Sequence, residues 1–97
     1  FKDTTEVLLG KRVDSEIEKK IDEIIMASYL VIGYHDLQIH EYGKGRMAGS
    51  AHVEVPANLT VEVVHKEIDK IERAIYSKTK VEITIHMDPT YCVIEDK

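Results

Sequence analysis

The first strongly periodic segment of the chain has apolar residues at the spacing of one face of an α-helix. They follow an i, i+4, i+7, i+8 pattern and are Ile17, Ile21, Ile24 and Ile25. Asp14 or Ser15 is suited to cap the helix, and Glu18 stands three residues after Ser15, as in a capping box. The pattern therefore predicts an amphipathic helix that ends at about Ala27.

Two segments with strand-like alternation come next, after a connection through residues 29–34. In the first, Leu37 and Ile39 alternate with Gln38 and His40, and residues 43–45 supply the turn of a hairpin. The second strand ends at Pro56. One of its faces would carry Met47, Gly49, Ala51, Val53 and Val55, and the other Ala48, Ser50, His52 and Glu54.

A second helix is predicted after the hairpin. Leu59 and Thr60 resemble a hydrophobic staple and an N-cap, and residues 78–80 close the helix. Its apolar stripe comprises Val61, Val64, Ile68, Ile71 and Ile75. This stripe would pack against the strands, on the same side of them as the first helix.

The last strand has the most regular alternation in the chain. Its apolar positions are Val81, Ile83, Ile85 and Met87, and its polar positions are Glu82, Thr84, His86 and Asp88. Pro89 is expected to stop the strand, because proline cannot donate to a ladder of hydrogen bonds. The alternation places the His86 and Asp88 side chains on one face.

The predicted element order, α-β-β-α-β, indicates an α+β fold with two layers. Two helices would cover one face of a three-stranded sheet, in a ferredoxin-like arrangement that lacks its first strand. The other face of the sheet would be left uncovered. It would carry His52, Glu54, His86 and Asp88, and could serve as a metal surface, a dimer interface or both.

Composition and charge limit the classes of function. A chain of 97 residues usually builds one domain, which excludes a multidomain enzyme. The formal net charge of -5 favours cations as partners and works against nucleic-acid binding. The single cysteine, Cys92, cannot form an internal disulfide, which fits a reducing compartment. The apolar stretch 24–34 is far shorter than the ~20 residues that cross a bilayer.

Histidine is the residue type that carries the candidate chemistry, with five copies in the chain. Zinc prefers imidazole and carboxylate donors, and enough of them for one or two ions are present in His35, His52, His65, His86 and Asp88. Taken singly, His35, His40 and His65 also fit ordinary surface positions, and Cys92 fits a buried thiol as well as a soft ligand. No phosphate loop, nucleophilic serine motif or His-Glu-x-x-His helix is present, so the sequence predicts no enzyme.

Several short motifs form a recognisable set within a similarity that extends from about residue 6 to residue 93. They are Leu8-Leu9-Gly10, Gly33-Tyr34-His35-Asp36-Leu37, His52-Val53-Glu54, His65 and Ile85-His86-Met87-Asp88-Pro89. Together they resemble the cytoplasmic C-terminal domain of cation diffusion facilitator (cation efflux) transporters. Either the His-Asp-Leu or the His-x-Asp-Pro element alone would be weak evidence for this family.

The resemblance implies a metallochaperone-like fold that dimerises beneath a six-helix membrane domain, on the cytoplasmic side of the cell membrane. That membrane domain would export zinc or a related divalent ion by proton antiport. Residues 1–12 would be the linker from it, and residues 13–94 the metal-binding dimerisation domain. The resemblance to zinc-exporting members implies that one ion binds to His35, His52 and Asp88. It implies that a second ion binds to His65, His86 and Asp88.

Three departures from the family pattern are present. The hairpin between His35 and His52 is about one residue longer, and His40 stands where an arginine often appears. Met87 replaces a polar residue between His86 and Asp88. Imidazole-rich donors favour zinc over manganese, which prefers oxygen ligands, although iron, cobalt and cadmium remain alternatives.

Three classes of function follow. The leading hypothesis is a regulatory, metal-sensing dimerisation domain of a divalent-cation exporter. The second is a ferredoxin-like homodimeric interaction module in which the histidines have no metal role. The third, a soluble metal chaperone, is disfavoured because such carriers commonly use a Cys-x-x-Cys loop, which is absent here.

Overall fold

The computed structural model describes residues 15–43 and 45–91. Five elements follow one another along this part of the chain. They are α1 (Ser15–Met26), β1 (Gly33–Tyr42), β2 (Arg46–Pro56), α2 (Val61–Thr79) and β3 (Val81–Thr90). The predicted α-β-β-α-β order is confirmed. The predicted linker at residues 1–12 and Cys92 lie outside the described residues, and the 13–94 boundary stays a prediction.

The three strands form one mixed sheet with the order β1-β2-β3. β1 and β2 are antiparallel, as expected for a hairpin, whereas β2 and β3 are parallel. A parallel pair needs a crossover connection, and α2 supplies it. The central strand β2 therefore holds its outward-facing side chains between those of β1 and β3.

The core lies between the sheet and the two helices. Ile21 and Ile25 of α1 and Ile75 of α2 are completely buried, as are Val53 and Val81 of the sheet. These are positions that the helical and strand periodicities placed on the inner faces. The two-layer arrangement with both helices on one face is thus confirmed.

Helix α2 begins and ends with specific caps. The Val63 N–H donates to the Thr60 hydroxyl oxygen at 3.2 Å, which satisfies one of the free donors of the first turn. At the other end, Lys80 has a left-handed backbone and its N–H donates to the Tyr76 carbonyl at 2.8 Å. The predicted N-cap and helix end are both observed.

Three local predictions were wrong. Gly33 and Tyr34 belong to β1 and not to the connection before it. Val61 is 74% exposed instead of lying in the core, because it borders an open apolar groove of about 200 Å³ at the start of α2. Pro89 lies within β3, which continues to Thr90.

The position of Pro89 is explained by the edge location of β3. The Ile85 N–H points away from β2 and donates to the Glu72 carboxylate at 2.9 Å. Residues four apart in a strand direct their backbone groups to the same edge, so the Pro89 nitrogen also faces away from β2. The proline therefore removes no hydrogen bond from the ladder.

Among the described residues, no helix combines the length and the apolar character that crossing a bilayer requires.

Candidate metal centre

A β-bulge in β1 decides where the His35 side chain points. His35 pairs with His52, but Gln38 pairs with Ser50, so β1 has one extra residue between these two pairs. Asp36 in the bulge has a φ of 56°. Residues 35 and 38 would face opposite sides of a regular strand, and the extra residue brings both to the uncovered face. The bulge thus places His35 beside the other histidines.

Three imidazole rings form a row across the uncovered face of the sheet. His35, His52 and His86 are register partners on neighbouring strands. The His35 and His52 ring centroids lie 5.2 Å apart, those of His52 and His86 lie 5.0 Å apart, and both pairs are stacked. The sheet register, together with the bulge in β1, therefore aligns one histidine from each strand.

Asp88 joins two of these rings into a compact group of donors. Its Oδ2 lies 3.3 Å from His52 Nδ1 and 3.5 Å from His35 Nε2. One donor atom from each of His35, His52 and Asp88 lies within 4.8 Å of the others. Two ligands at about 2.1 Å from a tetrahedral zinc ion stand about 3.4 Å apart, so the spacing and the chemistry of this group fit zinc.

The group is open to solvent on one side. The side chains of His35, His52 and Asp88 are 46%, 39% and 38% exposed. An ion can therefore reach the donors without any opening of the fold, and water or a further protein group can complete its coordination.

Tyr34 anchors β1 immediately before His35. Its hydroxyl donates to the Asp22 carboxylate of α1 at 2.6 Å. Burial, and then the hydrogen bond and negative charge of Asp22 with a smaller effect of Glu18, raises the pKa of Tyr34 from 10.0 to about 12. This contact ties the strand that carries His35 to the helical layer.

The structure does not bring all five predicted ligands into one group. His65 lies exposed on α2, next to the buried Val64. His86 is exposed and stacks on His52. Within the described chain, the group of donors within 4.8 Å of one another includes neither residue. The assignment of a second ion to His65, His86 and Asp88 stays a prediction.

Sequence reasoning missed a contact between Glu54 and His35. The Glu54 Oε2 atom lies 3.2 Å from His35 Nδ1. The alternation of β2 did place Glu54 and His52 on one face, but only the register of β1 shows which histidine Glu54 meets. The extra residue in the hairpin was the available signal for the bulge that sets this register.

Comparisons with known proteins identify the family that the chain resembles. A family model described as "Cation efflux protein, cytoplasmic domain" matches residues 13–90. The cation-efflux pump FieF of Yersinia enterocolitica is 28% identical over 96 residues, which are 98% of this chain but 32% of that protein. The chain thus spans about a third of the length of this curated relative.

Solved structures share the fold. A structure of CzrB, described as a candidate zinc transporter, has a TM-score of 0.73 at 25% identity and covers 80% of this chain and 98% of its own. The Zn form of CzrB has a TM-score of 0.65 at 28% identity, covering 77% and 82%. The metal-bound C-terminal domain of CzcD from Thermotoga maritima, at 19% identity, has a TM-score of 0.74 and covers 90% and 99%. The predicted resemblance is confirmed: the chain belongs to the cation efflux protein family and corresponds to its cytoplasmic domain.

Proposed function

We propose that this chain is the metal-sensing and dimer-forming cytoplasmic domain of a transporter that exports divalent cations, and that the sensed ion is zinc. The family consists of cation transporters and not of enzymes. The observation that carries the proposal is the group formed by His35, His52 and Asp88, whose donors lie within 4.8 Å of one another. No catalytic step is assigned to the domain.

The donor chemistry supports zinc as the ion. Two imidazole nitrogens and one carboxylate oxygen suit zinc better than manganese, which prefers oxygen ligands. The Zn form of CzrB, similar to this chain over most of its length, is consistent with that choice. Iron, cobalt and cadmium are the competing ions, and a titration series ranks them.

A second ion would use His65, His86 and the shared Asp88. His86 and Asp88 project from the same face of β3, which supports their acting together. His65 lies outside the three-residue group in one chain, so a second copy of the domain is one source of this ligand. Asp88 would then bridge both ions, and its loss would weaken both sites.

Calorimetric titration of the 97-residue chain with zinc tests the proposal. The wild type should bind at least one ion per chain. His35→Gln and Asp88→Asn should weaken the first site by at least tenfold, because each removes one of three protein donors. His65→Gln and His86→Gln should instead affect the second ion.

His40→Gln is the matched control. His40 lies on β1 and its strand partner is Ala48, so it shares the uncovered face but not the donor group. This variant should bind zinc as the wild type does. Failure of the wild type to bind zinc, with a dimer still present, would favour the ferredoxin-like interaction module without a metal function.

A further inference from the structure

Glu54 and His35 face each other at the edge of the donor group. Glu54 follows His52 by two residues on β2, and its strand partner on β1 is Gly33. Because residues two apart in a strand share a face, the carboxylate of Glu54 lies beside the row of imidazoles. Its Oε2 atom is 3.2 Å from His35 Nδ1.

Gly33 leaves the space that this carboxylate occupies. A Cβ atom at position 33 would lie 3.2 Å from Glu54 Oε1, which is closer than ordinary van der Waals contact. The backbone conformation of Gly33 does not itself demand glycine, since its φ is not among the positive values. The missing side chain therefore matters for the position of the Glu54 carboxylate.

The contact can be a hydrogen bond in only one direction. An ionised carboxylate can only accept, so Glu54 accepts a hydrogen bond from His35 when the Nδ1 atom carries the proton. The lone pair of the neutral ring is then on Nε2, which is the nitrogen 3.5 Å from Asp88 Oδ2. His52 differs, because its Nδ1 atom is the nitrogen that faces Asp88, at 3.3 Å from Oδ2.

We infer that Glu54 is a positioning residue of the metal centre: it holds His35 in the tautomer that presents Nε2 to the ion before the ion arrives. This inference rests on the proposed function. A carboxylate that accepts the second N–H of a ligand histidine fixes the ring and increases its basicity. Glu54 acts through His35 and not as a ligand, since it is outside the group of donors within 4.8 Å.

The first test measures the tautomer of His35 in the metal-free chain. Long-range nitrogen–proton correlation spectra distinguish the two neutral tautomers, and a His35→Gln sample identifies the His35 signals. The wild type should show the Nδ1-protonated form, and Glu54→Ala should shift it toward the Nε2-protonated form. Glu54→Gln keeps an acceptor oxygen and should retain the wild-type tautomer.

The second test measures zinc binding by calorimetry with the same variants. Glu54→Ala should lower zinc affinity by about 10- to 100-fold, with the same number of ions bound. Glu54→Gln should recover part of that loss. Glu82→Ala is the matched control, because Glu82 is an exposed carboxylate on the same face of the sheet and contacts Arg46 at 3.6 Å. It should change neither measurement.

The outcomes separate the two proposals. The inference is overturned if Glu54→Ala leaves either the tautomer or the zinc affinity unchanged. It is also overturned if this variant loses a bound ion, because Glu54 would then be a ligand. If the wild-type chain binds no zinc, the proposed function is wrong. The role of Glu54 as a positioning residue is then also wrong, whatever the tautomer spectra show.

Discussion

His35 lies directly opposite His52 on the antiparallel strands β1 and β2, with their ring centroids 5.2 Å apart. This pairing depends on the extra residue between His35 and Gln38. A regular β1 in the register of its second half would place Asp36 opposite His52 and turn His35 toward the helices. The geometry of the candidate metal centre thus depends on a backbone irregularity as well as on the identity of its donor residues.

The first prediction concerns Asp36, which has a φ of 56° in the bulge. Asp36→Val should lower the free energy of unfolding by about 1–2 kcal/mol, because a β-branched residue tolerates a left-handed backbone poorly. It should also weaken zinc binding, since His35 is re-aimed when the bulge is lost. Urea denaturation and calorimetry measure the two effects.

Asp36→Gly is the control for this prediction. Glycine adopts a positive φ without steric cost, so the bulge and the zinc affinity should both be kept. Equal zinc affinity in the valine and glycine variants would show that the bulge does not set the position of His35.

The sequence allowed accurate prediction of features that depend on local periodicity. Strict alternation in β3 placed His86 and Asp88 on one face, and the Thr60 cap located the start of α2. The bulge and the contact between Glu54 and His35 depend on the register between strands, which one sequence does not show. Val61 was misplaced because periodicity cannot show whether a partner layer extends beneath the first turn of a helix.

A second prediction follows from Gly49, where β1 and β2 approach closely. A Cβ atom at this position would lie 2.1 Å from the Gln38 carbonyl oxygen, which is a backbone atom and cannot rotate away. Gly49→Ala should therefore destabilise the fold by about 1–3 kcal/mol, as overpacking does elsewhere. Ser50→Ala, one residue further along β2, should lower the free energy of unfolding far less in the same denaturation experiment. An equal loss of unfolding free energy in the two variants would contradict the close approach of β1 and β2 at Gly49.

The third prediction concerns Tyr34 and alkaline pH. Its pKa is raised from 10.0 to about 12, so the folded state holds the phenol proton more tightly than the unfolded state does. The stabilisation is fully present below pH 10 and is lost as the pH rises from 10 to 12. Relative to Tyr34→Phe, the wild type should thus lose stability across this interval, as measured by denaturation at several pH values.

Tyr42→Phe is the control for the alkaline effect. Tyr42 lies on the same strand but is 59% exposed. Tyr42→Phe keeps the Tyr34 hydroxyl and its contact with Asp22, so this variant should still lose stability at alkaline pH. If Tyr42→Phe removed the alkaline loss of stability as fully as Tyr34→Phe does, the contact of Tyr34 with Asp22 would not be its cause.

A fourth prediction links zinc to thermal stability. A ligand that binds the folded state alone stabilises it by about 2.7 kcal/mol when its free concentration is 100 times Kd. Zinc should therefore raise the Tm of the wild type, and Asp88→Asn should abolish most of that increase. Glu82→Gln removes a carboxylate from the same strand and should leave the zinc-induced increase in Tm unchanged. An undiminished increase in Asp88→Asn would exclude Asp88 as a principal ligand.

The last prediction is that zinc brings the two chains of a dimer of this domain closer together. Each chain carries a formal net charge of -5, so two copies repel each other and should favour a splayed metal-free state at low ionic strength. Each bound ion adds two positive charges, and a ligand shifts such an equilibrium only through its differential affinity for the closed form. Small-angle scattering should therefore give a smaller radius of gyration with zinc than without it.

Asp88→Ala should show no such change, whereas high salt should compact the metal-free state of both proteins. Identical scattering of the wild type with and without saturating zinc would leave the domain as a dimerisation element that does not respond to metal.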